Sequence, residues 1–225
     1  DCDGTPPIAG TPCYFAYASD NFWTGGTDQI VFWTFSVDWN NTANSQFQQA
    51  FTLPVEPYDS YFCAAPRGAC LPQKGTSQGL ETLSDRLMFR LQYRNFGTHE
   101  VMLTCHTVNV DGQGHAGVRW YEFRKPNASA DWGIYQQGTY APDSIHRWMG
   151  SVAMNANGNI ALGFSVTGEE KYPSMRYTGR SANAPLGVTN FEEIEVATST
   201  GSQSSYGRWG DYAMMSVDPA DDTTF

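Results

Sequence analysis

"HRWMGSVAMNANGNIALGFSV", residues 146–166, reads as a β-hairpin. Two runs rich in Val, Ile, Ala, Met and Phe flank Asn157-Gly158, a pair suited to the positive φ values of a tight reversal. The loop "TGEEKYP" (167–173) then leads to a third strand, "SMRYTG" (174–179), and "FEEIEVAT" (191–198) supplies a fourth. The preceding stretch follows the same plan, with "LMFRLQYRN" (87–95), a turn at Gly97, "EVMLTCHTVNV" (100–110), the loop "DGQGHA", then "GVRWYEF" (117–123) and "GIYQQGTY" (133–140). Arg86, Arg147 and Arg208, spaced by 61 residues, each stand where such a unit begins. Four antiparallel strands repeated at a fixed period predict an all-β chain of β-propeller blades.

On that plan blades occupy about 14–53, 86–140 and 147–200, and another starts at 208–225 with "WGDYAMMSV" and "TTF" as its strands. In the first unit "CYFAYASD" (13–20), "IVFWTFSVDW" (30–39) and "FQQAFTL" (47–53) fit the second, third and fourth strands of a blade. Residues 54–85, with four prolines, form an insertion. The 225 residues therefore read as one propeller-like domain of about three blades. A closed propeller usually has four to eight, so this is a partial one, either a piece of a longer chain or a unit completed by another copy at its open edges. A sandwich of antiparallel sheets is the alternative architecture, and the repeat period argues against it.

Hydrophobic residues make up 40% of the chain and aromatics 14%, enough for a substantial core. No run of about 18 apolar residues is present, so no membrane insertion is expected. Thirteen basic against 23 acidic residues give a net charge of −10, which repels a phosphate backbone and argues against nucleic acid as a partner. Cys2 and Cys13, and Cys63 and Cys70, form two close pairs in Pro/Gly-rich sequence and predict two disulfides, with Cys105 left as a buried strand residue. Metal ligation by these cysteines is disfavoured, since no C-x-x-C occurs and the four histidines lack zinc-ligand spacing. Disulfides imply a secreted, extracellular protein, with which the sequons at Asn40 and Asn127 are compatible.

The first strand of each blade lines a propeller's channel, so Arg86, Arg147 and Arg208 are expected to ring its mouth. Asp85, His146, Trp148, Trp209 and Asp211 would stand beside them. One crossing loop would add Asp111, His115 and Arg119, a second Glu169, Glu170, Lys171 and Arg176, and an earlier one Asp20, Trp23 and Asp28. Converging guanidinium groups bind carboxylates bidentately, and tryptophans stack on sugars. The same arginines are equally suited to tying neighbouring blades together through carbonyls and acids. Trp120, Tyr121, Phe32 and Trp33 read as blade packing. No cofactor is required by any motif; calcium is the one ion the acids of "DCDGTPP" (1–7) and of Asp218, Asp221 and Asp222 in "DPADD" could attract, without the full ligand series of an EF-hand.

The runs "LSDRLMFRLQYRNFGTHE", "HAGVRWYEFR", "YQQGTYAPDSIHRWMGS", "GNIALGFSV", "PSMRYTGR" and "GSQSSYGRWGDYAMMSVDPADDTTF" resemble a group of secreted bacterial propeller proteins assigned to the sialidase-like superfamily, over roughly 14–225. Sialidases proper would imply an arginine triad on the substrate carboxylate, a Tyr/Glu nucleophile pair and an aspartate acid/base. The periodic arginines suit the first, but the F/Y-R-I-P motif and the S-x-D-x-G-x-x-W box are absent. Tyr212 with Glu169 can be nominated as the nucleophile pair, and Asp111 with Glu169 as a carboxylate pair. Three functions follow. The first is an extracellular, non-catalytic propeller that binds carbohydrate or an anionic ligand at the channel mouth. The second is a divergent sialidase-type glycoside hydrolase, and the third a structural or adhesive surface protein that assembles with further copies of itself through open blade edges.

Overall fold

The computed structural model describes residues 2–63, 68–126 and 131–225, so Asp1 and the sequon at Asn127 lie outside the described residues. The first antiparallel sheet is a three-stranded meander of β2 (Cys13–Ser19), β3 (Gln29–Ser36) and β4 (Gln46–Pro54). It is preceded by a short β1 (Cys2–Gly4) and interrupted after β2 by a one-turn helix, α1 (Asn21–Thr24). A small hairpin follows, β5 (Ala69–Gln73) with β6 (Thr76–Glu81). The second large sheet holds β7 (Gln92–Asn95), β8 (Glu100–Asn109), β9 (Ala116–Lys125) and β10 (Gly133–Tyr140), with β1 added in parallel to β7. The third is the meander β11 (His146–Met154), β12 (Ile160–Gly168), β13 (Lys171–Arg180) and β14 (Ile194–Ala197).

β8 sets the layering. Its sequence EVMLTCHTVN is buried on both faces: Val101, Leu103 and Cys105 join one core, and Met102 the other. The first core lies against the third sheet and contains Val118, Trp120, Trp148, Val152, Leu162 and Phe164. The second lies against the first sheet and contains Ile30, Phe32, Tyr121, Phe123 and Trp132. The five-stranded sheet is thus the middle of three stacked sheets. Removing each such large side chain from water contributes roughly 1.5–3 kcal/mol, so these two layers dominate the stability of the fold. The described residues form several antiparallel sheets, with no closed sheet among them. No helix among them is long and apolar enough to cross a membrane.

The 146–166 hairpin forms as expected, although its turn differs in detail. Gly158 alone takes the positive φ, +76°, while the Asn155 side chain closes the reversal by accepting from the amides of Asn157 and Asn159. The unit expected at 208–225 does not form strands. It runs instead as an extended tail over β11 and β12, because its polar groups find partners there. Trp209 Nε1 donates to Ser165 Oγ (3.0 Å), Met215 N to Ser151 Oγ (2.8 Å), and Ala156 N to Asp222 O (2.8 Å). The Met215 side chain lies over Gly163, where a Cβ would stand 2.9 Å from its terminal methyl. Arg86 likewise does not open a strand; it sits in a turn ahead of β7, and of the three periodic arginines only Arg147 lies in one.

Candidate functional site: the loop face

The connections after β2 and β8 are tied by the segment 55–63, and those after β8, β10 and β12 line neighbouring cavities. The buried Asp28 carboxylate accepts from the amides of Asn21 (2.6 Å) and Tyr58 (2.8 Å). Asp20 caps α1 through Phe22 N and also accepts from Ser60 N (2.9 Å) and Ser60 Oγ (2.6 Å). Asn109 Nδ2 donates to Tyr61 O (3.0 Å), and His115 Nε2 reaches Ile145 O (3.2 Å). Arg119 adds bonds to Thr139 Oγ1, Glu56 O and Pro57 O, fastening β9 to the insertion.

Two open cavities of about 630 and 600 Å³ share Pro72, Ser144, His146 and Glu169 and form one cleft on this face. Asp111 and His115 line one end, Lys171 and Arg176 the other. Asp111 Oδ1 accepts from Gln113 N (2.7 Å) and His115 N (3.1 Å), and the first of these bonds leads in holding its carboxyl below the usual range. His115 and His146 meet edge to face at 5.4 Å. Burial, reinforced by His115, pulls His146 down to about 4, and Ala116 N donates to its Nδ1 (3.2 Å), so at neutral pH it is an uncharged imidazole with its proton on Nε2.

The cations of the cleft are already engaged. Arg176 pairs with Glu193 (2.6 Å) and Glu195 (2.9 Å), and Lys171 with Glu195 (3.0 Å). The Thr198 hydroxyl, then Lys171 and Arg176, holds Glu195 at about 2. Glu169 and Glu170 are exposed and have no hydrogen-bond or ion-pair partner among the described residues.

The periodic arginines are each engaged by carboxylates. Arg147 is 1% exposed, gripping Asp143 (2.8 and 3.0 Å), Glu193 (2.8 and 3.2 Å) and Ile145 O (2.8 Å) beneath the Tyr140 ring. Burial opposes its charge, and the two carboxylates more than compensate, raising its pKa. Arg86 binds its neighbour Asp85 through two bonds (2.8 and 2.9 Å) and touches Tyr212 Oη (3.4 Å). Arg208 pairs with Asp211 and, at 3.7 Å, with Glu81. Each guanidinium fork is occupied by acids: the buried Arg147 by Asp143 and Glu193, and the more exposed Arg86 and Arg208 by Asp85 and Asp211, while Arg86 also reaches Tyr212, next to Asp211.

Other expected members are divided. Trp23 lines a smaller pocket of about 230 Å³ with Asp20, Tyr58, Ser60, Ser84 and Asp85, and packs with Phe22 (4.7 Å) and Tyr61 (6.1 Å) as an aromatic cluster at its edge. Trp148 is fully buried in the core. Tyr212 lines a different cavity, beside Leu87 and Thr104, from the one Glu169 lines, so the nominated Tyr/Glu pair is apart, whereas Asp111 and Glu169 do share a cleft. Pro72, Ser60 and Tyr61 were not anticipated, and the Pro-rich insertion that carries them was the signal, since such loops carry function on rigid scaffolds; Ser144, in the short turn between β10 and β11, had no such signal.

The calcium reading of the tail is not supported. Asp222 is taken by Arg94, Asp221 accepts from Thr223 N, Thr224 N and Thr224 Oγ1, and Asp218 accepts from Ala220 N. Asp3 is held by Arg90 and Gln92. No group of three or more His, Cys, Asp or Glu side chains among the described residues could hold a metal ion. Cys63 and Cys70 are bonded, and Cys105 is buried and free, its thiol pushed up by burial. Cys2 and Cys13 are exposed and unbonded, against expectation: Cys2 is paired opposite Tyr93 in the middle sheet, Cys13 opposite Phe35 in the first, and they meet only as walls of one apolar pocket.

The chain matches no family model, no curated protein and no solved structure.

Proposed function

We propose that this chain is an extracellular, non-catalytic carbohydrate-binding protein built from consecutive propeller-type blades, with its ligand on the loop face. The blade reading is supported by three meanders that follow one another in the sequence and stack in the same order. The Cys63–Cys70 bond supports an oxidising location.

One observation carries the ligand class: the cleft's cations are bound by Glu193 and Glu195 beside it, while Asp111, Glu169, Glu170, Ser144 and a neutral His146 remain as acceptors and donors. Such a site suits a neutral polyhydroxylated ligand and disfavours a carboxylate or sulfate. The Trp23, Phe22 and Tyr61 cluster, across the 58–63 segment, gives a sugar ring an apolar surface. This narrows the ligand from carbohydrate or anion to neutral glycan, and a sialidase-like grip on a carboxylate loses its arginine triad.

A glycan array comparing neutral with sialylated and sulfated structures tests the reading: neutral oligosaccharides bind, and binding confined to acidic glycans overturns it. A second reading, hydrolysis of neutral glycosides by Asp111 and Glu169, rests on their shared cleft. Release of reducing ends from a bound neutral oligosaccharide, abolished by Glu169→Gln, would establish it over simple binding.

A further inference from the structure

Trp33, which reads as blade packing in the sequence, lies on the outer face of the first sheet, away from the middle one. β2 turns Tyr14, Ala16 and Ala18 to the core, which leaves Phe15 and Tyr17 on the opposite face. Register places Trp33 beside Phe15, and Phe35 beside Phe47, on that same face. Phe47 is the hub: it stacks on Trp33 (5.1 Å) and meets Phe15 (5.6 Å) and Phe35 (6.4 Å) edge-on. Phe47 remains 57% exposed, Phe15 and Tyr17 47%, and Phe35 38%.

We propose that this face joins two copies of the chain in a symmetric dimer. Four exposed rings and the partly buried Trp33, at ~150–250 Å² each, leave roughly 400 Å² of apolar surface, as large as the largest patch on a typical monomer. With a polar rim it approaches the ~800 Å² per partner of a stable interface. The other residues these strands place on the face, Cys13, Gln29, Gln49, Thr52 and Pro54 with the buried Ser19 and Val31, are uncharged. On a chain of net charge −10, an uncharged patch is where two copies approach without like-charge repulsion. A two-fold axis near Phe47 sets the same cluster against itself.

Sedimentation of the 225-residue chain over a range of concentrations tests this. The expected result is a mass of two chains that dissociates on dilution, with a dissociation constant raised at least ~30-fold by Phe47→Asp. Trp39→Asp, in the exposed loop after β3, should leave the dimer unchanged. Should Phe47→Asp fail to fold, Gln49→Lys places a charge on the same face at an exposed position. A wild-type chain that stays monomeric at high concentration overturns the proposal, whether the face is then bare or is covered by further polypeptide or by glycan. So does a dimer indifferent to both substitutions.

Discussion

Arg147→Lys separates architecture from binding at the residue the repeat made most prominent. The guanidinium makes four bonds to the carboxylates of Asp143 and Glu193 and one to Ile145 O, all at 3.2 Å or less. A lysine ammonium keeps the charge but cannot span both acids in the planar geometry of the fork. The ammonium can serve Glu193, 12% exposed and also paired with Arg176, while Asp143, half exposed, regains water. Loss of two or three charge-assisted bonds in a buried setting costs about 2–4 kcal/mol, less than outright removal of a buried ion-pair partner because the charge survives. For a chain of this length each kcal/mol moves the midpoint by ~2–4 °C, so thermal unfolding followed by circular dichroism should show a drop of roughly 5–15 °C. Glycan affinity measured well below that midpoint should be unaltered. A midpoint within about 2 °C of wild type, or lost affinity at unchanged stability, would refute the assignment of Arg147 as a strut.

Stability should fall as pH is lowered from 6.5 towards 4, because unfolded His146 takes a proton near 6.5 and the folded one only near 4, so the unfolded state holds the extra proton between them. The site is partly open, so ~1–2 kcal/mol is expected from His146, and His146→Gln should reduce this part of a pH series of denaturation curves without abolishing it, since burial also lowers the fully buried His106. Arg94→Met should loosen the tail, since it removes the bonds to Asp222 and Met154 O; amide exchange in 209–224 should accelerate before the sheets are affected. Alkylation of the folded, unreduced protein should modify Cys2 and Cys13, reach Cys105 only after unfolding, and spare Cys63 and Cys70 until reduction.

Strands were legible where alternation and turn residues agreed: β8, β9, β11 and β12 fall within or almost on the runs read from the sequence, and Asn-rich 155–159 marked the turn. The tail misled because "WGDYAMMSV" has the composition of a strand but no neighbour to pair with; side-chain hydroxyls of β11 and β12 satisfy it instead. The convergence of Asp111, His115, His146 and Glu169 was accessible, since loops at equivalent places in successive meanders emerge on one side. The arginines were not, because spacing along the chain says nothing of which acids lie alongside. Glu193 comes from the strand-poor stretch before β14 and Asp143 from the turn before β11, and together they enclose Arg147. Trp33 shows the same limit: an aromatic in a β run reads as core from either face, and only the register reveals that its face is the outer one.

The most direct measurement is calorimetric titration of the chain with a neutral oligosaccharide and with its sialylated counterpart, repeated for Asp111→Asn and Glu169→Gln. The cleft account predicts that the neutral sugar binds and the sialylated one binds no better. Either substitution should weaken binding at least tenfold without shifting the melting midpoint, since each removes a charged acceptor worth about 1.5–3 kcal/mol. Tighter binding of the sialylated sugar, or neutral-sugar affinity untouched by both substitutions, would contradict it.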